Sequence, residues 1–266
     1  MEKLYLENSP IAYYIDGSAG NKDWVVFLHA AFVDSRMFNK QFDYFAGKYN
    51  LIAVDIIGHG QSVKAHGKDG IEDMSRWIDG ILTKHGINAA HFVGVSLGSV
   101  IAQDFCNRFD KKVLSLACFG GYDINDFDIK AQKSNTKQQM SMMLKALFSI
   151  KQFARSNKKI SAYTESAQEE FYNLNIQFPK KSFMYLAKLG NLVNKYPSKM
   201  PDYPLLVGCG EHDIPMELEV SRIWAERANC QYAVVAGAGH CVNMDKPDEF
   251  NLLLEQFWQN GNQIRQ

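Results

Sequence analysis

Residues 91–100 read HFVGVSLGSV: an apolar run enters a serine bracketed by glycines, Gly94-Val95-Ser96-Leu97-Gly98, and an apolar pattern resumes behind it. The spacing G-x-S-x-G is short enough to arise by chance, and a serine at such a place can simply cap a helix. Its surroundings give it a mechanical meaning. Residues 91–95 have the nearly continuous apolar character of a strand buried on both faces, and 97–109 carry a helical pattern. A strand that turns directly into a helix forces the residue between them into a strained conformation with little room around it. Glycines at 94 and 98 remove the side chains that would collide, so the Ser96 hydroxyl projects at the C-terminal edge of a sheet.

The rest of the chain supplies that sheet. Residues 4–8 and 11–15, parted at Ser9-Pro10, read as a strand pair. Strand-like runs follow at 24–29, 51–56, 91–95, 113–120, 204–210 and 231–237, with helical stretches near 36–47, 72–86, 97–109, 216–228 and 248–259. Strand–helix alternation of this kind predicts an α/β fold with a doubly wound, mostly parallel sheet. From about Asp123 to Asp202 the rhythm breaks: the segment is helical in pattern and rich in Lys, Met and aromatic residues. It falls between two sheet strands without polar Gly/Pro/Ser joints, so the expected organisation is a core of 1–122 and 203–266 with an inserted helical cap at 123–202.

A serine hydroxyl becomes a nucleophile only when a base takes its proton. Of seven histidines, His240 in GAGHCVNMDKPDEF follows the last strand on a glycine-flanked loop, at the same sheet edge as Ser96. The others (His29, His59, His66, His85, His91 and His212) read as surface or loop hydrogen-bonding residues. An imidazole base needs a carboxylate to hold its tautomer. Asp213, in LLVGCGEHDIP, follows a buried strand at that same edge and lies 27 residues before His240, room for one helix and one strand. Asp123 in GGYDIND follows another strand end and is the alternative acid. Glu211, His212 and Asp213 are consecutive and cannot converge easily on one ion, so no metal site is expected.

Five pieces in order (LHAAF, DIIGHGQS, GVSLG, GEHD and GAGHCVNMDKP) make the chain similar to the α/β-hydrolase superfamily over nearly its full length. The order Ser, Asp, His is also that family's order. The resemblance implies an oxyanion hole made by the backbone N–H groups of Leu97, which opens a helix, and Ala31, in the loop after the third strand. Ala30 stands where the family more often has glycine, which leaves that loop less free at φ > 0. The loop DIIGHGQS is assigned packing by Gly58 and Gly60 and no chemistry. The implied activity is that of a serine hydrolase cleaving a small, apolar carboxylic ester, or a thioester or lactone, through an acyl-enzyme and without a cofactor. Ester ranks above amide only on family frequency. The alternative is a ligand receptor, lyase or cofactor-free peroxidase on the same scaffold. An aspartate at the nucleophile position would point to a dehalogenase, and Ser96 argues against that.

Composition narrows the partners. The chain has 266 residues, 29 Lys and Arg against 29 Asp and Glu, and 46% hydrophobic content. No net field points to nucleic acid or an anionic membrane, and no run reaches the roughly 18 apolar residues of a membrane span. The start has no signal-like pattern, and five cysteines without paired spacing fit reduced thiols, so a cytoplasmic protein with a small-molecule substrate is expected. Residues 130–200 carry 13 Lys and Arg against 3 Glu, a net of +10 against −10 for the remainder. Their apolar partners, Met140, Met143, Leu144, Phe148, Phe153, Phe171, Phe178, Phe183 and Met184, are expected to face the sheet and roof a pocket above Ser96.

Overall fold

Strand β1 (Glu2–Tyr5) pairs antiparallel with β2 (Ala12–Asp16) in the computed structural model, which describes residues 2–64, 68–127 and 149–263. The first strand stops before Leu6 instead of running to Asn8. Asn8 takes φ 55, and Leu6 N–H donates to Ile11 O at 2.9 Å, so the turn begins early. Then come β3 (Trp24–Leu28), β4 (Asn50–Val54), β5 (Ala90–Val95), β6 (Val113–Phe119), β7 (Leu205–Gly210) and β8 (Gln231–Val235). One eight-stranded sheet results, in the order β1-β2-β4-β3-β5-β6-β7-β8. From β4 to β8 every neighbouring pair is parallel. The C-terminal ends of these six strands therefore share one edge. The loops that follow carry Ala31, Ser96, Asp213 and His240.

Alternation along each strand divides the core in two. Val26, Leu28 and Phe92 pack with Trp77, Ile78 and Ile81 of α2 (Met74–Lys84) and with Val100, Ile101 and Phe105 of α3 (Leu97–Arg108). Val25, Phe27 and Val93 face Phe42 and Phe45 of α1 (Asn39–Phe45). Phe250, Leu254 and Trp258 of the C-terminal helix complete that layer. The Phe27 ring lies 5.0, 5.7 and 6.5 Å from those of Phe38, Phe42 and Phe45. Each such side chain contributes about 1.5–3 kcal/mol by leaving water. Helices on both faces of a mostly parallel sheet are the doubly wound arrangement expected.

Between β6 and β7 the described residues form no strand. They include α4 (Ile150–Ser161), α5 (Glu165–Asn175) and the short α6 (Phe183–Leu186). Ser149 and Thr164 cap α4 and α5, accepting from the amides of Gln152 and Ala167. In α4, Phe153, Ala154 and Asn157 turn inward while Lys151, Arg155 and Lys159 remain in solvent. Asn157 Nδ2 donates to Asn175 Oδ1 at 3.0 Å and ties α4 to α5. Phe153, Phe178 and Phe183 converge on Phe32, with ring centroids 4.9, 5.3 and 5.6 Å away. Phe171 is buried as well, on the α1 side of the core. Met184 departs from the expectation and is exposed. With Phe183 turned inward, the next residue of a helix points about 100° away, toward water. Met140, Met143, Leu144, Phe148 and His66 lie outside the described residues. Among the described residues no helix is long and apolar enough to cross a membrane.

The last part of the chain runs through α7 (Pro215–Ala228), β8, the short α8 (Val242–Asp245) and α9 (Pro247–Gln263). Proline at the first position of both α7 and α9 gives up an amide that has no partner in a helix.

Candidate active site

Ser96 sits between β5 and α3 with φ 54 and ψ −114, a conformation that L-residues seldom adopt. Two neighbours hold it there. Its amide donates to Phe119 O at 2.8 Å, and its carbonyl accepts from Ser99 N at 2.9 Å. The glycines make the turn possible by their absence of bulk. A Cβ on Gly98 would lie 1.8 Å from Leu28 O, and one on Gly94 would lie 2.5 Å from the Gly98 backbone. The ends of β3, β5 and α3 thus meet at backbone contact. Ser96 is partly exposed, while Leu97 behind it is buried.

His240 donates from Nδ1 to Asp213 Oδ1 at 2.8 Å. A carboxylate only accepts, so this bond puts the proton on Nδ1 and leaves the neutral ring's lone pair on Nε2. Asp213 Oδ1 also accepts from Ile214 N at 2.7 Å, whereas the buried Oδ2 has no hydrogen-bond partner among the described residues. Burial alone would lower the His240 imidazole. The Asp213 carboxylate, by charge and by hydrogen bond, and the nearby Glu217 outweigh burial and raise it to about 9. Glu217, buried in the first turn of α7, is pushed up to about 7 by burial and by Asp213, against the pull of His240.

One strand end links the serine to this pair. Ser96 is bonded to Phe119, and a Cβ on the next residue, Gly120, would meet His240 Cε1 at 2.8 Å. No hydrogen bond joins Ser96 directly to His240. In sites without substrate this contact is commonly long and tightens when substrate binds.

The loop after β3 is pinned from below. Fully buried His29 donates from Nδ1 to Ala30 O and accepts at Nε2 from Ile56 N, both at 2.8 Å. Ala30 N donates to Met37 Sδ at 3.2 Å. Neither Ala31 N–H nor Leu97 N–H has a hydrogen-bond partner among the described residues. The left-handed residue here is Phe32, at φ 70, so Ala30 does not occupy the conformation that would call for glycine. Asp55 fixes the far side by accepting from Ser35 N at 3.0 Å and Gln61 N at 2.8 Å.

Other candidates go elsewhere. Asp123 pairs with Arg227, caps Asn125 N and lines a separate cavity of about 190 Å³. Glu211 accepts from Gly237 N, and His212 stacks on Tyr163 at 3.7 Å, so these neighbours of Asp213 diverge from it. His29, His59 and His91 are buried instead of superficial. Their strands and loops are covered by helices or by the segment between β6 and β7. Burial drives the His59 imidazole down to about 3, so it stays neutral beside His29 and Phe178. Sequence reasoning did not single out Glu217 or Phe32. Glu217 resembles any acidic residue in a helix's first turn, and nothing in the local sequence marks it as buried beside Asp213.

A protein-family model described as alpha/beta hydrolase fold matches residues 23–247. A 2-hydroxy-6-oxononadienedioate/2-hydroxy-6-oxononatrienedioate hydrolase of Burkholderia vietnamiensis is 24% identical over 92% of this chain and 90% of its own length. The dihydrolipoyllysine-residue acetyltransferase component of the acetoin cleaving system of Cupriavidus necator is 24% identical over 89% of this chain, which spans 64% of that relative. Among solved structures, the enol-lactonase from Burkholderia xenovorans LB400 superposes with a TM-score of 0.80 at 18% identity, covering 97% of this chain and 100% of that one.

Proposed function

The chain belongs to the alpha/beta hydrolase fold family, and from that premise we propose that it is a serine hydrolase acting on a small carboxylic ester, thioester or lactone. The observation that carries the reading is the strained Ser96 at the β5–α3 turn, one strand end away from the hydrogen-bonded pair Asp213–His240. Support also comes from the full-length hydrolase relative.

In the proposed reaction, His240 Nε2 takes the Ser96 proton as Oγ attacks the substrate carbonyl carbon. Negative charge on the carbonyl oxygen is held by the Leu97 and Ala31 amides, and the N-terminal end of α3 favours that charge. Asp213 stabilises the imidazolium, which then protonates the leaving alcohol or thiol as the carbonyl–heteroatom bond breaks. Water, deprotonated by His240, adds to the acyl-enzyme and releases the acid and Ser96. The helical segment between β6 and β7 acts as the cap. Its Phe153, Phe178 and Phe183, gathered on Phe32 beside Ala31, support a preference for an uncharged, apolar acyl group.

Incubation with a fluorophosphonate probe and a panel of p-nitrophenyl esters tests this. Expected are labelling at Ser96 and turnover of short apolar esters. Labelling without turnover of any ester would replace this reading by a receptor, lyase or peroxidase on the same fold.

A further inference from the structure

We propose that Asp245 is a positioning residue for the His240 base, acting by locking the α4–α5 turn of the cap against both flanks of the histidine. The proposal rests on the catalytic reading given above. Asp245 is buried at the end of α8, five residues beyond His240. Its Oδ1 accepts from Thr164 N at 2.7 Å and Thr164 Oγ1 at 2.8 Å. Tyr163 N lies 3.0 Å from both oxygens. Oδ2 accepts from Gly239 N at 2.8 Å. One carboxylate thus holds the turn of the cap and the residue just before His240.

The residue just after His240 is held from the same side. Cys241 N donates to Ser161 O, the last residue of α4, at 2.7 Å. Contact between the two segments is tight at Gly239. A Cβ on Gly239 would lie 3.0 Å from Tyr163 N and 3.2 Å from Ala162 C. Residues 161–164 are therefore part of the seat of His240, and the cap is fixed to the core at this end.

A carboxylate suits this place because the donors come from two directions and each oxygen must accept. Asp245→Asn keeps the shape and can keep an oxygen toward Tyr163 and Thr164. It then turns an NH₂ group toward the Gly239 N–H, donor against donor. The substitution cuts the link on the histidine side and spares the one on the cap side. Gly239→Ala wedges the same contact by bulk instead of charge. Asn157→Ala serves as the comparison: it breaks the α4–α5 bridge and a 3.5 Å bond from Ser161 Oγ, while the Ser161 carbonyl that holds Cys241 and the bonds of Asp245 stay in place.

The experiment measures kcat and KM on a responsive ester, the fluorophosphonate labelling rate of Ser96, thermal stability, and the His240 Nδ1 proton resonance. Displacing a base by a fraction of an ångström lowers the chemical step, so D245N and G239A should each lower kcat and labelling by about tenfold or more. KM should stay within about twofold, because substrate contacts are untouched. The Nδ1 resonance should shift or broaden. N157A should lower the melting temperature, with kcat within about threefold and the resonance unmoved. If D245N loses stability as N157A does while kcat, labelling and resonance hold, Asp245 is only an anchor and the proposal is overturned. If the wild type turns over no ester, the functional reading falls, and labelling and the resonance still decide the role of Asp245.

Discussion

At Ser96 the backbone is held at φ 54 by partners that do not involve its hydroxyl, so the side chain can be removed without releasing the turn. Ser96→Ala and His240→Ala should each lower kcat by about 10³-fold or more with the fold retained, and the double variant should lose little beyond either. Additive losses would count against one catalytic unit. Asp213→Asn should lower kcat by roughly 10²–10⁴-fold by mis-setting the histidine tautomer. Asp123→Asn, at a residue bonded to Arg227, should leave kcat nearly unchanged. The structure also revises the pH dependence. An unperturbed histidine would give a rate rising through about 6–7. Because Asp213 and Glu217 favour the imidazolium, the neutral base accumulates only as pH rises, and kcat/KM of the free enzyme should climb through about 9. Glu217→Gln removes a negative charge that holds the proton on His240, so the rising limb should move to lower pH. A kcat/KM profile flat from pH 6 to 10 would exclude a histidine base.

Among the elements, the β5–α3 turn is the least tolerant. Gly98→Ala places a methyl 1.8 Å from Leu28 O, on backbone that belongs to the central strand β3 and cannot give way. A loss of at least about 3 kcal/mol is expected, read by denaturant unfolding, or failure to fold. The aromatic group on Phe32 behaves differently. Phe32 is partly exposed and joins the loop after β3 to the helical segment between β6 and β7. Phe32→Ala opens space beside the proposed acyl site, so selectivity among p-nitrophenyl esters should move toward longer chains. An unchanged chain-length profile would remove Phe32 from the pocket.

Across the whole molecule, charge is uneven: residues 130–200 carry +10 and the remainder −10. Several cations of the segment between β6 and β7 face solvent, including Lys151, Arg155, Lys159, Lys181 and Lys188, while Lys195 and Lys199 pair with Asp104 and Asp110. Such an arrangement solvates helix faces and ties the segment to its surroundings, and an exposed pair such as Lys199–Asp110 is screened by salt. A neutral ester should therefore have a higher kcat/KM than an anionic ester of equal size, with a weak dependence on salt. A preference for the anion that fades as salt rises would show instead that the basic cap steers substrate.

Read alone, the amino-acid sequence determined the strand–helix alternation, the turn at Ser96 and the strand-end positions of Asp213 and His240. These are local or periodic properties: continuous apolar runs, a 3.6-residue pattern, and glycines where the backbone has no room. The family resemblance added the Leu97 and Ala31 amides. Tertiary structure decided what depends on segments distant in the chain. It paired His240 with Asp213 and sent Asp123 to Arg227. It buried His240 against the Asp213 carboxylate, with Glu217 as a smaller contributor, and these charges outweigh burial and raise the imidazole to about 9. It also joined Asp245 to Thr164, 81 residues earlier, in a contact that no local pattern encodes. Burial and charge proximity are sums over neighbours brought together by folding, so a pKa or a positioning bond is visible only once those neighbours are in place.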